Sequence, residues 1–442
     1  MRKLILILGF GVIAGICQGM SLNEQQDSVW TLQKCIEHAL TNNIQVRKTQ
    51  LTNKQNMVNA EEAKAQRFPS ANASVNQNFN WARSTATGES GLTGSNGSNY
   101  SVNSGITIFN ASRLTALIKQ SELNIESGNY SLETTKESIS LSILDAYLQI
   151  LYAEEQVRNS EKQLESSTSE LNLAEERLTL QAISKTDYAQ VKSQVATEKL
   201  TLANSQSQLV IAKVTLEQFM ELPVADNFEI AHPDLSESLN QNRAPDVKLV
   251  YETALAIKPQ IKNAAVNKEI ASLDEKVARS GLFPILTASA GITSGFTSLS
   301  NESYFGQLNS GIYPSAGFSL SIPIYQKKQV RTSIALAKIG YQNAELSEFD
   351  SKNTLRKSIE QACVDVRSAQ IKYEASKENY SATLEASLLS DEKFAQGVIN
   401  SVDYLVSKTN LIVAESELLQ SKYNLIVSYK ILDFYMGIPL SL

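Results

Sequence analysis

Large apolar residues recur every seven positions along two stretches of this chain. In the first, Ile143, Ile150, Val157, Leu164, Leu171 and Leu178 form one seam, and Ala146, Ala153, Ser160, Ser167 and Ala174 form a second, three residues on. The pattern predicts one helix over residues 110–182, about 105 Å long at 1.5 Å per residue. A strict period of seven imposes a left-handed supercoil, and a seam of small side chains lets a neighbouring helix approach closely. The second stretch keeps the small seam as Ala362, Ala369, Ser376, Thr383, Ser390 and Gly397.

Each long helix should turn back on itself. Ser184 precedes Asp187 by three positions, and Asn400 precedes Asp403 likewise, the spacing of a helix cap followed by a first-turn carboxylate. The return helices carry heptads of their own, Tyr188, Val195, Leu202, Leu209 and Leu216, then Tyr404, Leu411, Leu418, Leu425 and Leu432. They end near Pro223 and Pro439, which makes them about 55 Å long and shorter than their partners. Amphipathic segments 44–67 and 260–282 are the pieces left to cover the remainder.

Between Pro69 and Asn110 the period drops to two. Ala71, Ala73, Val75, Phe79 and Trp81 alternate with Asn72, Ser74, Asn76, Asn78 and Asn80; after a Gly/Ser/Thr loop at 85–98, Tyr100, Val102, Ile106 and Ile108 alternate with small polar residues. Leu286, Ala288, Ala290, Ile292 and Phe296, then Ala316, Phe318, Leu320 and Ile322, repeat the pattern. These read as four strands of roughly ten residues, apolar on one face and small or polar on the other, with aromatics near the ends, the signature of a transmembrane barrel. Four strands cannot close a barrel, and lipid tolerates no unpaired edge, so several chains must complete it.

The two sets are copies. Ile108 matches Ile324, Asp187 matches Asp403, Met220 matches Met436 and Pro223 matches Pro439 at a constant offset of 216; at an offset of 215, Ala39-Leu40 matches Ala254-Leu255 and Phe68-Pro69 matches Phe283-Pro284. Repeats of about 190 residues are too long for solenoid units, so the duplicated object is a structural half. The chain divides into a leader at 1–19, a first repeat at 20–223 with strands at about 70–108, a linker at 224–247, a second repeat at 248–439 with strands at about 285–324, and a short end at 440–442.

The leader reads as a secretory signal, with Arg2 and Lys3 before an apolar run at 4–16 and a small residue, Gly19, at the cleavage point. Cys17 suggests a lipidated N-terminus, but the bulky Ile16 before it does not suit a lipoprotein signal. Removing the leader takes away two of the 40 Lys and Arg and none of the 46 Asp and Glu, leaving the mature chain more acidic than its formal net charge of −6. That balance argues against a nucleic-acid partner. Cys35 and Cys363 fall on helices of different repeats and read as buried free thiols.

Signal, duplicated helical hairpins and a strand pair in each repeat together resemble the TolC-like outer-membrane efflux duct family. The residues that carry the resemblance are Thr31 to Leu40 followed by Asn43 and Gln45, the Phe-Pro before each strand pair, the strand ends Ile106-Thr107-Ile108-Phe109 and Ile322-Pro323-Ile324-Tyr325, and the turn Phe394-Ala395-Gln396-Gly397-Val398 with Asp403 and Leu405. The resemblance spans nearly the whole mature chain. It implies a mainly α chain with a β-barrel part: an α-barrel tunnel of long antiparallel hairpins in the periplasm, and four strands per chain completing a 12-stranded trimeric transmembrane barrel in the outer membrane. It also implies a homotrimer, a periplasmic adaptor (membrane fusion) protein, an inner-membrane RND or ABC-type transporter, and a role in efflux or type I secretion with no reaction catalysed and no cofactor.

Site residues follow from the same resemblance. Arg177, Leu178, Leu180 and Gln181, with Lys393, Phe394, Gly397 and Val398, match the adaptor-docking turns, and Asp187 and Asp403 match the periplasmic gate. Phe79, Trp81, Tyr100, Phe296 and Phe318 would be the lipid-facing barrel aromatics. The chain departs from the family pattern where Gln181 replaces a glycine, where Ile399 replaces a gating arginine, and where Val406 replaces a second constriction acid. Asp187 and Asp403 also have a simpler reading, as first-turn carboxylates favoured by the helix dipole.

Enzyme chemistry finds no support: His38 and His232 have no ligand or relay partner at a useful spacing, and the Gly-rich stretch at 88–98 leads into a strand where a phosphate cradle needs a helix. The rival reading is a non-conducting coiled-coil stalk or adhesin of the cell envelope.

Overall fold

A computed structural model describes residues 29–84, 91–223, 228–235 and 246–442; the leader with Cys17 and parts of the linker lie outside it. Strand β1 (Val29–Trp30) leads into α1 (Leu32–Asn42) and α2 (Ile44–Ala65). The strand pair β2 (Ser70–Ser84) and β3 (Gly91–Phe109) precedes the long helix α3 (Arg113–Thr179) and its return α4 (Lys185–Met220). After β4 (Glu229–Ile230) the order repeats as α5 (Val247–Ile257), α6 (Pro259–Ser280), β5 (Ile285–Thr297), a short α7 (Tyr304–Ser310), β6 (Tyr313–Ser321), α8 (Gln329–Ala395) and α9 (Ser401–Tyr435).

The caps explain where the short helices break. The Thr31 side chain accepts from Lys34 N to start α1, and Asn43, between α1 and α2, accepts from Gln45 N while donating to the Phe219 carbonyl. In the second repeat Asp246 caps α5, and Pro259 opens α6 at a position where its missing N–H costs nothing. Both long helices run 67 residues, about 100 Å.

Helix α4 packs on α3, and α9 on α8; α2 lies along α3, while α6 lies along both α3 and α8. The small seam is the tighter one: Ala146, Ala153, Ser160, Ser167 and Ala174 are all buried, and the Ser160 hydroxyl meets that of Ser205 at 3.1 Å. Of the large seam, Ile143 and Ile150 are buried and the positions Val157, Leu164, Leu171 and Leu178 are half-buried. The largest core gathers α1, α3, α4 and the β1–β4 pair, where the Tyr147 hydroxyl donates to the Ala231 carbonyl at 2.7 Å. Burial pushes the Cys35 thiol in this core up to about 12, and Cys363 is buried in the second core with Ile359 and Leu425. His232, read as partnerless, meets Glu154 at 2.7 Å.

The sheet is antiparallel in the order β2-β3-β5-β6, so the two repeats join at β3–β5 and the outer strands β2 and β6 are its edges. The register puts Ala73, Val102, Ile292 and Pro314 in one row, and Ala288 and Phe318 in another on the same face, while Asn72, Asn103, Gly291 and Ser315 share the opposite face. The alternation is therefore continuous across all four strands. Two expectations need correction. The strands β2 and β3 run 15 and 19 residues instead of about ten, and most of the segment read as a loop at 85–98 is strand, with Gly91 to Gly97 paired to Ser84 to Asn78. Composition misled there: glycine serves close approach, since a Cβ on Gly94 would stand 3.2 Å from the Trp81 ring.

Where each strand pair feeds its long helix, two successive non-glycine residues take left-handed backbone: Ala111 and Ser112 at φ 50° and 62°, Lys327 and Lys328 at 49° and 66°. The pairs are 216 residues apart. A sharp turn repeated at a cost of roughly 1–2 kcal/mol per residue marks the junction of sheet and hairpin as a fixed feature of the fold.

Candidate functional site at the hairpin tips

Both tips are built alike. In the first, Ala182 N donates to the Arg177 carbonyl at 2.8 Å and Gln181 N to that of Leu178; in the second, Val398 N donates to the Lys393 carbonyl at 2.9 Å and Gly397 N to that of Phe394. This is the Schellman end of a helix, which needs a left-handed residue at its centre. Gln181 and Gly397 supply it, at φ 58° and 73°. The basic residue, the apolar residue after it and the glycine position are thus the parts of one turn. Leu180 and Val398 are exposed at its apex, Lys393 is exposed, and Arg177, Leu178 and Phe394 are half-buried.

The next helix starts three residues later. Ser184 and Asp187 form a reciprocal capping box, and Asn400 accepts from Asp403 N at 2.8 Å while donating to its carboxylate at 3.0 Å. Here the two acids part company. Asp187 reaches the other hairpin: the Ser401 hydroxyl lies 2.5 Å from its Oδ1 and 2.8 Å from Gln190 Oε1. Hydrogen bonds from Ser401, then from Ser184, hold the Asp187 carboxyl below its ordinary value. Asp403 is exposed.

A cavity of about 980 Å³ separates the tips, with Glu170, Arg177, Asp187, Phe394, Tyr404 and Lys408 in its wall. Its lining includes a polar network around the buried Tyr404 that is absent from the sequence reading. The Tyr404 hydroxyl donates to Glu170 Oε1 at 2.6 Å, and its ring stacks on Phe394 with centroids 4.3 Å apart and planes 8° from parallel. Lys408 Nζ stands 3.0 Å from Asp391 Oδ1 and 3.7 Å from Glu170 Oε1. Burial, then the Glu170 carboxylate, pushes the Tyr404 phenol far up, so it stays a donor. One residue of α9 thereby ties α9 to α3, and its neighbour a turn later ties α9 to α8. The heptad placed Tyr404 in a seam correctly; a buried phenol also needs a partner, and that was the signal available.

Among the described residues no group of three or more His, Cys, Asp or Glu is placed to hold a metal ion, and no helix is long and apolar enough to cross a membrane. The tips hold helices together, with Leu180, Lys393 and Val398 exposed at their ends.

Solved structures share this fold. The Campylobacter jejuni CmeC outer membrane channel superposes with a TM-score of 0.79 at 16% identity, over 92% of this chain and 85% of that one. The open state of the Neisseria gonorrhoeae MtrE outer membrane channel gives 0.75 at 16% identity over 92% and 89%, and the Vibrio cholerae outer membrane protein VceC 0.69 at 14% identity over 92% and 94%. Among curated proteins none matches the chain. The family model for outer membrane efflux proteins matches residues 35–220 and 250–437, one span per repeat. That match sets aside the non-conducting stalk or adhesin. With both repeats matched and the fold shared along nearly its full length, the chain belongs to the outer membrane efflux protein family.

Proposed function

We propose that three copies of this chain close into a 12-stranded barrel continued by a periplasmic tunnel, docked at its tips to a periplasmic adaptor and through it to an inner-membrane pump. One observation carries the trimer. Within the chain, α6 seats Val266 and Leu273, 8% and 6% exposed, on Leu123 of α3, 3% exposed. Their counterparts in the other copies are Leu51 and Val58 of α2 and Ile339 of α8, at 62%, 63% and 52% exposure. The same apolar cluster exists a second time with its halves apart. A neighbouring chain that brings its α2 onto α8, as α6 is brought onto α3 here, completes it, and the same operation pairs edge β6 with edge β2. Lipid would charge several kcal/mol for each edge group left bare.

In this assembly the face bearing Val75, Val102, Ile292 and Phe318 meets lipid, and the Asn/Ser/Gly face lines the lumen. Phe79, Trp81 and Phe318 are exposed on the lipid side; Tyr100 and Phe296 are half-buried there under Tyr304. Arg177, Leu178, Leu180, Gln181, Lys393, Phe394, Gly397 and Val398 form the docking rim, and Asp403 the inner ring of the entrance. Asp187 acts by holding the hairpins of one chain together. Paired cysteines at Val58 and Ile339 test the reading: disulfide crosslinking in membranes should give covalent dimers and trimers, and a purely monomeric product would refute it.

A further inference from the structure

The connection from β5 to β6 should be a watery extracellular loop, yet it folds back onto the sheet. Tyr304 of α7 places its hydroxyl 2.5 Å from that of Tyr100 and its ring 4.8 Å from Phe296, and the Ser294 hydroxyl donates to the Leu308 carbonyl at 2.6 Å. Tyr100, Ser294 and Phe296 share the face of Val102, Ile292 and Phe318. Helix α7 therefore lies on the side of the barrel assigned to lipid, outside the lumen.

From this geometry we infer that α7 is an interfacial helix, seated against the outside of the barrel where the acyl chains of the outer leaflet meet its headgroups; the inference rests on the lipid-facing assignment above. Height agrees. The nine steps from Ile285 to Ser294 cover about 23 Å along the membrane normal at a tilt of about 40°, close to the ~25 Å apolar band of such barrels. The helix begins where hydrocarbon ends.

Its chemistry suits that boundary. Leu299 and Phe305 are 77% and 80% exposed, and the Phe305 ring adjoins that of Tyr304, which sits on the apolar face. Residues 298–312 contain no Lys or Arg and one acid, Glu302. Polar groups facing inward are satisfied within the segment. Gln307, buried, accepts from Thr297 N at 2.9 Å and donates to the carbonyls of Thr297 at 3.1 Å and Glu302 at 2.8 Å. Any buried amide needs such partners, and here they leave no polar atom of Gln307 to oppose seating the helix against an apolar face. The helix also shields Ser98, Tyr100 and Ser294, three of the polar positions on the outward face, which also carries Gln77, Asn96 and Ser104.

Nitroxide labels test this in trimers reconstituted into lipid vesicles. Single cysteines are placed by Phe305→Cys, Phe318→Cys and Asn103→Cys in a background without native cysteines, and collisions with dissolved oxygen and with a neutral nickel chelate are compared. The oxygen-to-nickel ratio at 305 should exceed that at 103 by at least about 3-fold, as for an apolar face sunk 5–10 Å into the boundary. A water-like ratio at 305 with a lipid-like one at 318 overturns the interfacial helix and leaves the barrel orientation standing. A label at 305 shielded from both probes overturns it too, since the helix would then be packed against protein. A water-like ratio at 318 removes the lipid-facing assignment itself, and the inference with it.

Discussion

Gln181 and Gly397 occupy the same left-handed backbone position, 216 residues apart, at φ 58° and 73°. One copy pays the steric cost of a side chain there and the other avoids it. No atom lies within 4 Å of a Cβ added at Gly397, so Gly397→Ala should cost about 1 kcal/mol from backbone strain alone. Gln181→Gly relieves similar strain but loosens the unfolded chain, and should change stability by less than about 0.5 kcal/mol. Local hydrogen exchange at the tips is the measurement; equal and opposite effects would contradict this assignment.

Tyr404→Phe deletes the donor to Glu170 and keeps the stack on Phe394. A hydrogen bond to a charged group is worth roughly 1.5–3 kcal/mol, and the lower end applies because Glu170 retains Lys408 at 3.7 Å. Exchange should rise in the first turns of α9, with the β-sheet unaffected. Tyr404→Leu should be worse, through loss of the ring stack.

The Asp187–Ser401 contact should be pH-dependent. Because the folded carboxyl sits below its ordinary value of 3.8, the stabilisation is complete above that value and disappears as pH falls through the lower, folded one. Spin-label distances between the tips should hold steady down to about pH 5 and lengthen under stronger acid. In Asp187→Asn that acid-induced step should vanish.

Asp403 bonds within its own first turn, so Asp403→Ala should cost only about 0.3–1 kcal/mol. Three such carboxylates around a narrow mouth would attract cations and let multivalent ones block the pore. Single-channel recordings should therefore show relief of trivalent-cation block in Asp403→Ala. Since Val406 leaves one acidic layer, the wild-type block should be weaker than in relatives with two; unaltered block in the variant would make Asp403 a cap alone.

Reversing charge at both Arg177 and Lys393 should abolish export while trimer abundance stays unchanged. The two residues share one position of a solvent-facing turn, away from the buried seams. Export assayed in cells, beside a count of crosslinked trimer, distinguishes lost docking from lost assembly.

Helices, caps and the duplication were legible because each leaves a local signal: heptads for α3, a three-residue spacing for Ser184 and Asp187, a fixed offset for the copies. The sheet order was not, since nothing local says that β3 meets β5. Tyr404 and Glu170 are 234 positions apart, and only the register of α9 against α3 brings them together. Helix α7, at seven residues, is too short to show a period. The Gly/Ser run hid strand residues because its small residues serve strand pairing and close approach to an indole ring rather than flexibility.

The cluster of Leu123, Val266 and Leu273 and its divided twin obey different equilibria. Weakening the first, as by Leu273→Ala, alters a unimolecular step whose midpoint ignores protein concentration. Weakening the second, as by Val58→Ala, alters a three-body association in the proposed trimer, so its effect should fade at high expression and deepen on dilution. The same substitution, made at matched sites in one chain, would thus be felt as fragility in one repeat and as scarcity of assembled channel in the other.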